Sequence, residues 1–424
     1  QYNTPLITLV NARTMVLDMK GATSFTLKGS DVPKLRKLTL VNTEKLTKLV
    51  LSGINLRTLE IPMTENLVLS NQGKSAIAYL KLSGKGSVSV NFINALDGLD
   101  GRTTDSDTTT LPVGTPLLKG AIRYIHLDDT ITVSDDISTM KLLQLYKFRA
   151  RSISTLNIAT LIQGCPKLVD LDVDISPTKV SELSALGSFS AHFKQSYTFI
   201  SNGNTYPNRQ IKLGPLSDLS AITNVLSGKS VTYLRVDDIT AGNGGNLAAL
   251  KPTVRSIRLS GVISGNVDVS RFTNLETLSI SSTSALTLDL DQSFGQKSCA
   301  SLKTIQLLGT TSSGWTGSLS SLNCYNLNVL QIKGPSLVTG TFKDIKLGVL
   351  RSLAVASAAV TGTLDDLAAA HNLHHLDVTG NAVSGETSSL RHLSNLNHLT
   401  LNGKIENKED LKNACETITV VPST

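Results

Sequence analysis

One pattern dominates the chain: apolar-x-x-apolar-x-apolar, with polar residues in the intervening places. From residue 231 onward it recurs at 231–236, 254–259, 275–280, 302–307, 327–332, 350–355, 373–378 and 396–401, the starts lying 23, 21, 27, 25, 23, 23 and 23 residues apart. Because strand side chains alternate between faces, the pattern predicts a short strand in each unit, with places one, four and six turned into a core. A second element is locked to the first. Gly317, Gly340 and Gly362 each open the form Gly-x-apolar-x-x-apolar, and the stretch from Gly385 to Leu390 is a looser copy. The glycine suits a turn that needs positive φ, after which a short helical or 3₁₀ return is expected.

The amino-terminal third carries the same pattern at 35–40, 46–51 and 56–61, starting only 11 and 10 residues apart, and again at 77–82. Such spacing cannot hold a strand, a helix and two turns. These units are expected to alternate between two faces of a coil, two strands to each turn. The pattern weakens over 96–120 and returns at 122–127, 145–150 and 168–173. It is irregular again over 176–230, where a projecting loop is expected around 197–208. The final copy, 415–420, reads as a partial strand closing the array. The expected organisation is short-period coils over 1–95, a loop or insertion over 96–120, irregular coils over 121–230, and a regular array with a cap over 231–424.

A period of 20–29 residues with this pattern resembles the leucine-rich repeat. The fold class expected is α/β to mostly β: a solenoid with one parallel strand ladder and short helical, 3₁₀ or extended returns. The stretches Val-Thr-Gly-Thr-Leu-Asp-Asp-Leu over 360–367 and Asn-Leu-His-His-Leu-Asp-Val over 372–378, with their copy over 383–399, resemble repeats of Bacteroidetes surface proteins and of tail or fibre proteins of their phages. That resemblance implies adhesion, receptor recognition or assembly at a cell surface or virion. The chain departs from the usual repeat in lacking most of the turn asparagines, with Ser281, Ala356 and Thr379 in such turns instead.

Composition narrows the picture. Aromatics are only 4% of 424 residues and Trp315 is the single tryptophan, so the core must be many small layers of Leu, Ile, Val and Ala. No apolar run is long enough for a membrane span. The chain begins at Gln1, as expected of a chain whose leader has been removed or of a piece of a longer protein. A formal charge of +7 comes without a basic run, a zinc-finger spacing or a basic–aromatic motif, so nucleic acid is not an expected partner. No Asn-x-Ser/Thr acceptor occurs, which argues against a eukaryotic secreted receptor.

The candidate chemistry lies in places two, three and five of each strand, which should line the exposed inner face of the solenoid. There the chain sets Tyr79, Tyr124, His126, Tyr146, Arg149, Tyr233, Arg235 and Arg258, aromatics beside arginines, as a candidate ligand-binding surface. The plainer reading is that tyrosine and arginine suit strand surfaces and pack their stems together. His375 and His398 share place three in adjacent units and could hold a metal with Asp377, or form a solvated histidine surface. Cys165, Cys299 and Cys324 each lie three residues before a strand leucine, where other units have Phe272, Leu347, Ala370 and Leu393. Cysteine acts there as a small hydrophobe, with a bridge between Cys299 and Cys324 as the alternative. No nucleophile elbow, phosphate loop, dinucleotide fingerprint or zinc-protease motif occurs, so no cofactor and no catalysis are expected. The function expected is a non-catalytic recognition or adhesion protein, extracellular, on a cell surface or a virion, binding a protein or glycan. The alternatives are a structural subunit, self-associating or built into a virion or surface filament, and a carrier domain of a larger enzyme.

Overall fold

A computed structural model describes residues 11–98, 121–150, 152–153, 155–173, 177–193, 209–213, 216–295, 299–310, 314–402, 404–406 and 417–420. The expected insertion lies almost wholly outside these residues, and the expected loop over 197–208 wholly so. The chain divides into two compact units, one formed by Gln1–Gly187 and Gly203–Gly214, the other by Ser188–Asn202 and Pro215–Thr424.

In the first unit the strands Thr14–Asp18, Lys37–Val41, Asn55–Met63, Ala76–Gly84, Tyr124–Leu127, Lys147–Ala150, Asp170–Val173 and Arg209–Leu213 form one parallel ladder in that order. The register follows from the apolar places. Leu38, Leu59, Leu80, Ile125, Phe148, Leu171 and Ile211 stand opposite one another and are all buried. A register slip of one residue would turn every one of them to solvent, at about 1.5–3 kcal/mol each. The pattern at 46–51 falls on a second face: Lys48–Ser52 pairs with Ser24–Lys28 and Val68–Gln72. The close spacing of the amino-terminal units is therefore two strands to a coil, as expected. A further short ladder joins Gly86–Val88, Ile131–Val133 and Ser152–Ile153.

In the second unit Ser188–Phe193, Ser230–Ile239, Ser256–Gly261, Thr277–Ser282, Thr304–Leu308, Val329–Lys333, Ser352–Val355, His375–Asp377, His398–Leu401 and Thr417–Val420 pair in parallel, each with the next. The fold is a leucine-rich-repeat solenoid: parallel ladders of short strands, each coil giving one strand to the main ladder and many coils a second to a short ladder, with few helices. Returns are brief. They include the helices Leu219–Leu226 and Leu290–Phe294 and the 3₁₀ turns Leu319–Ser321, Phe342–Asp344, Leu364–Leu367 and Thr387–Leu390. The repeated glycines open these turns as expected, Gly317, Gly340, Gly362 and Gly385 having φ of 93°, 115°, 108° and 119°. Two of the turns are capped by an aspartate three residues on: Thr341 N–H donates to Asp344 at 2.7 Å and Thr363 N–H to Asp366 at 3.1 Å.

Turn polarity is displaced from its expected places. The buried groups that satisfy the turn backbone are Ser282, Ser357, Asn381 and Asn402, not Ser281, Ala356 and Thr379. Each sits where the chain leaves the strand, and the turn length decides which residue points inward. Cys299 and Cys324 form a disulfide between neighbouring coils, while Cys165 is a buried free thiol whose pKa burial pushes up to about 11.

Candidate functional site

The residues singled out in the sequence separate into two clusters, one on each unit. In the first unit Tyr79 stands opposite Tyr124, and Tyr124 opposite Lys147. Tyr146 reaches back from the place before Lys147, so the three tyrosines form one row. The ring centroids of Tyr79 and Tyr124 are 6.3 Å apart and those of Tyr124 and Tyr146 are 6.2 Å apart, tilted by 53° and 60°. These are edge-leaning contacts of the kind aromatic rings prefer. Tyr124 is the most open of them, at 38% exposure. Burial, then the carboxylates of Glu60 and Asp128, raise the Tyr79 phenol above its ordinary pKa, so it remains a neutral donor.

Beside the tyrosine row, Lys81, His126, Arg149 and Asp172 stand opposite one another in place five. The expected open arginine is not open. Arg149 has 14% of its side chain exposed and binds Asp129 at 3.2 Å, with Asp172 at 3.8 Å. His126 lies 3.3 Å from Asp128, yet its pKa is lowered, first by burial and then by the charge of Arg149. Lys147 pairs with Asp170 at 3.2 Å. Beside the tyrosines thus runs a partly buried belt of paired charges, Arg149 with Asp129 and Lys147 with Asp170.

The second cluster is built on Asp237. Its carboxylate lies 2.8 Å from His192 Nε2 and accepts from Arg235 Nε at 2.9 Å, with Ser260 Oγ at 3.5 Å. Burial would raise the Asp237 pKa, but the bonds from His192 and Arg235 outweigh it and hold the group below its ordinary value. Arg235 stands opposite Arg258, which is exposed, and Tyr233 opposite Ser256. Farther along the same ladder polar side chains link coil to coil. Ser279 donates to Gln306 at 3.2 Å, Gln306 to Gln331 at 3.1 Å, and Gln331 to Ser352 at 3.1 Å, with His375 Nδ1 3.4 Å from Ser352. His375 and His398 are register partners with ring centroids 6.3 Å apart. Burial, Lys333 and His398 lower the His375 pKa against the pull of Asp377. Asp377 itself is held by Lys333 at 2.9 Å. Among the described residues no group of three His, Cys, Asp or Glu side chains is arranged to hold a metal, and no helix is long and apolar enough to cross a membrane.

Sequence reasoning missed three features. His192 lies in the irregular stretch, 45 residues from its partner Asp237, so no local spacing joins them. Asp129 sits just past its strand, outside the three columns read. Most conspicuously, place two of the first three coils is arginine each time. Arg36 N–H donates to Arg13 O at 2.8 Å and Arg57 N–H to Arg36 O at 2.7 Å, which sets Arg13, Arg36 and Arg57 side by side. The signal was present as Leu35-Arg36 and Leu56-Arg57, but the interleaved unit at 46–51, which belongs to the other face, hid the column.

No protein-family profile matches the chain, and no curated protein matches it in sequence. Similar solved structures include an internalin of Listeria monocytogenes, at 17% identity over 68% of this chain and 81% of that one, TM-score 0.35. A leucine-rich-repeat protein of Leptospira interrogans is similar at 12% identity over 98% and 97%, TM-score 0.38. So is the leucine-rich-repeat ectodomain of a plant membrane receptor kinase from Arabidopsis thaliana, at 14% over 94% and 60%, TM-score 0.37. The chain thus spans 60% of the length of that ectodomain. These neighbours are all leucine-rich-repeat proteins. The fold assignment rests on the ladders of the chain itself.

Proposed function

We propose that the chain is a non-catalytic recognition protein that works outside the cell, on a bacterial surface or a phage virion, and holds a protein or glycan against its strand ladder. The observation that carries this reading is the row Tyr79, Tyr124 and Tyr146, set beside the Arg149–Asp129 ion pair. Aromatic groups held rigidly at a partly open surface lose little entropy on binding, and such groups dominate interface energetics. The Cys299–Cys324 bridge supports an oxidising compartment. Tyr233, Arg235 and Arg258 form a second candidate contact on the other unit, where Arg258 is the open group and Arg235 the braced one.

The test is binding of the full chain to an array of bacterial-surface proteins and glycans, repeated with Tyr124→Ala/Tyr146→Ala. A loss of about tenfold or more in affinity, 1.4 kcal/mol, is expected for the hit ligand. If the array yields no ligand, or the double variant binds as wild type does, the reading is overturned.

A further inference from the structure

Five of the chain's seven histidines fall between His371 and His398. The other two, His126 and His192, each face an aspartate, Asp128 at 3.3 Å and Asp237 at 2.8 Å. Four of the five face one another instead. His371 and His392 have ring centroids 5.8 Å apart and inclined at 77°, while those of His375 and His398 are 6.3 Å apart at 48°. The surroundings of the two pairs differ. His375 is half-buried, its Nδ1 lies 3.4 Å from Ser352 Oγ, and the Lys333 ammonium is fixed nearby on Asp377. His371 and His392 are both exposed, and among the described residues no hydrogen bond or ion pair engages either ring. Their backbones are nonetheless set in place. His371 follows Ala370 and His392 precedes Leu393, both buried in the turns that lead into the strands His375–Asp377 and His398–Leu401. Asn395 ties the two turns together, its side-chain amide donating to the His371 carbonyl at 2.9 Å.

We propose that His371 and His392 chelate one borderline divalent cation, Zn²⁺, Cu²⁺ or Ni²⁺, through one ring nitrogen each. Imidazole nitrogen suits these ions, whereas Ca²⁺ and Mg²⁺ take oxygen ligands, and among the described residues no carboxylate pairs with either ring. With a metal–nitrogen bond of about 2.0–2.1 Å the ion lies about 3.2 Å from each ring centroid, so two rings can share it at separations up to about 6.4 Å. At 5.8 Å the nitrogen–metal–nitrogen angle is about 130°, which a small rotation of two exposed rings closes to the tetrahedral range. At 6.3 Å it would be about 160°, and turning His375 to close it would break the contact with Ser352. Lys333 adds a positive charge there that repels a cation. The two ligands sit on neighbouring coils of one ladder, so little order is lost when the ion arrives. Both are neutral, so the ion keeps its full charge and its open positions, free for water or for a donor group of a partner. The columns of the sequence do not show this pair, because His371 and His392 lie at different distances before the first leucines of their strands, Leu373 and Leu396. The site stands apart from the recognition reading above, which needs no metal.

The experiment titrates the full chain, freed of bound ions by dialysis against a chelator, with Zn²⁺, Ni²⁺ and Cu²⁺ in a calorimeter. One ion per chain is expected at the tightest site, with Cu²⁺ held most strongly, and Mg²⁺ and Ca²⁺ should not compete for it. His371→Gln and His392→Gln should each weaken binding about tenfold or more, and the double variant should bind no better than either alone. His375→Gln/His398→Gln should bind as wild type does, and circular dichroism should show every variant folded. Electron paramagnetic resonance of the Cu²⁺-loaded chain should show two coupled nitrogens, and one in either single variant. Absence of binding, binding unchanged in the His371/His392 double variant, loss on changing His375 and His398 instead, or a single coupled nitrogen in the wild type would each overturn the proposal.

Discussion

Single side chains in the turns carry obligations that no leucine can meet. Asn402 is buried, donates to the carbonyls of Val378 and Val383 at 3.0 Å each, and accepts from Lys404 N–H at 2.8 Å. Ser357 does the same work two coils earlier, toward the carbonyls of Ser336 and Val338. Replacing Asn402 with alanine strands two carbonyls and one amide away from water. The expected cost is about 1–3 kcal/mol of local stability, seen as faster hydrogen exchange at amides of the strand His375–Asp377. Unchanged exchange there would contradict the role assigned to Asn402. This scale was the least legible beforehand. Whether position seven, eight or nine after a strand's first leucine turns inward depends on the turn backbone, which the apolar pattern does not encode. The same is true of His192 and Asp237, whose contact is made by register between strands and not by proximity along the chain.

At the scale of the element, the apolar pattern was nearly sufficient. Leu38, Leu59 and Leu80 share a register because each is place four of its unit, and the interleaved Leu49 goes to the other face because its neighbours start ten or eleven residues away. What the pattern did not show was how far the polar columns are already paired. Columns set which side chains meet, but the exposure of Arg149 depends on Asp129, which lies beyond the strand. Glycines that let coils approach are specific to position. Gly261 has φ of 129°, and a Cβ there would come 2.3 Å from the Ile239 carbonyl oxygen of the neighbouring coil. Gly261→Ala should therefore cost at least the 1–3 kcal/mol or so typical of a forced backbone. Gly348→Ala, where a Cβ meets nothing, should be neutral or slightly stabilising. Comparing the two urea midpoints is the check, and equal midpoints would refute the assignment.

Across the whole molecule stability is distributed, since each coil within a unit touches chiefly the next one. Acid should act on it through particular carboxylates. Burial opposes the charge of Asp237 and Asp377, yet bonds from His192 and Arg235, and from Lys333 and Thr379, hold both below the ordinary aspartate range. A carboxylate with a lower folded than unfolded pKa binds its proton more readily in the unfolded chain. Its contribution is therefore complete above about pH 4 and is lost as pH falls through the folded value. A melting temperature that declines modestly as pH falls through about 6.5, where the lowered pKa values of His126 and His375 oppose protonation, and declines further below about pH 4 is expected; one that rises toward pH 3 would contradict the paired geometry. The Cys299–Cys324 bridge has a mechanical consequence as well. A chain pulled from its two ends lengthens by unravelling its coils, but the 25-residue step between the bridged cysteines is shielded from the load. At roughly 3.5 Å for each extended residue, the reduced chain should stretch about 85 Å farther than the oxidised one. Wherever the chain bears load along its length, that bridge acts as a stop on its final extension.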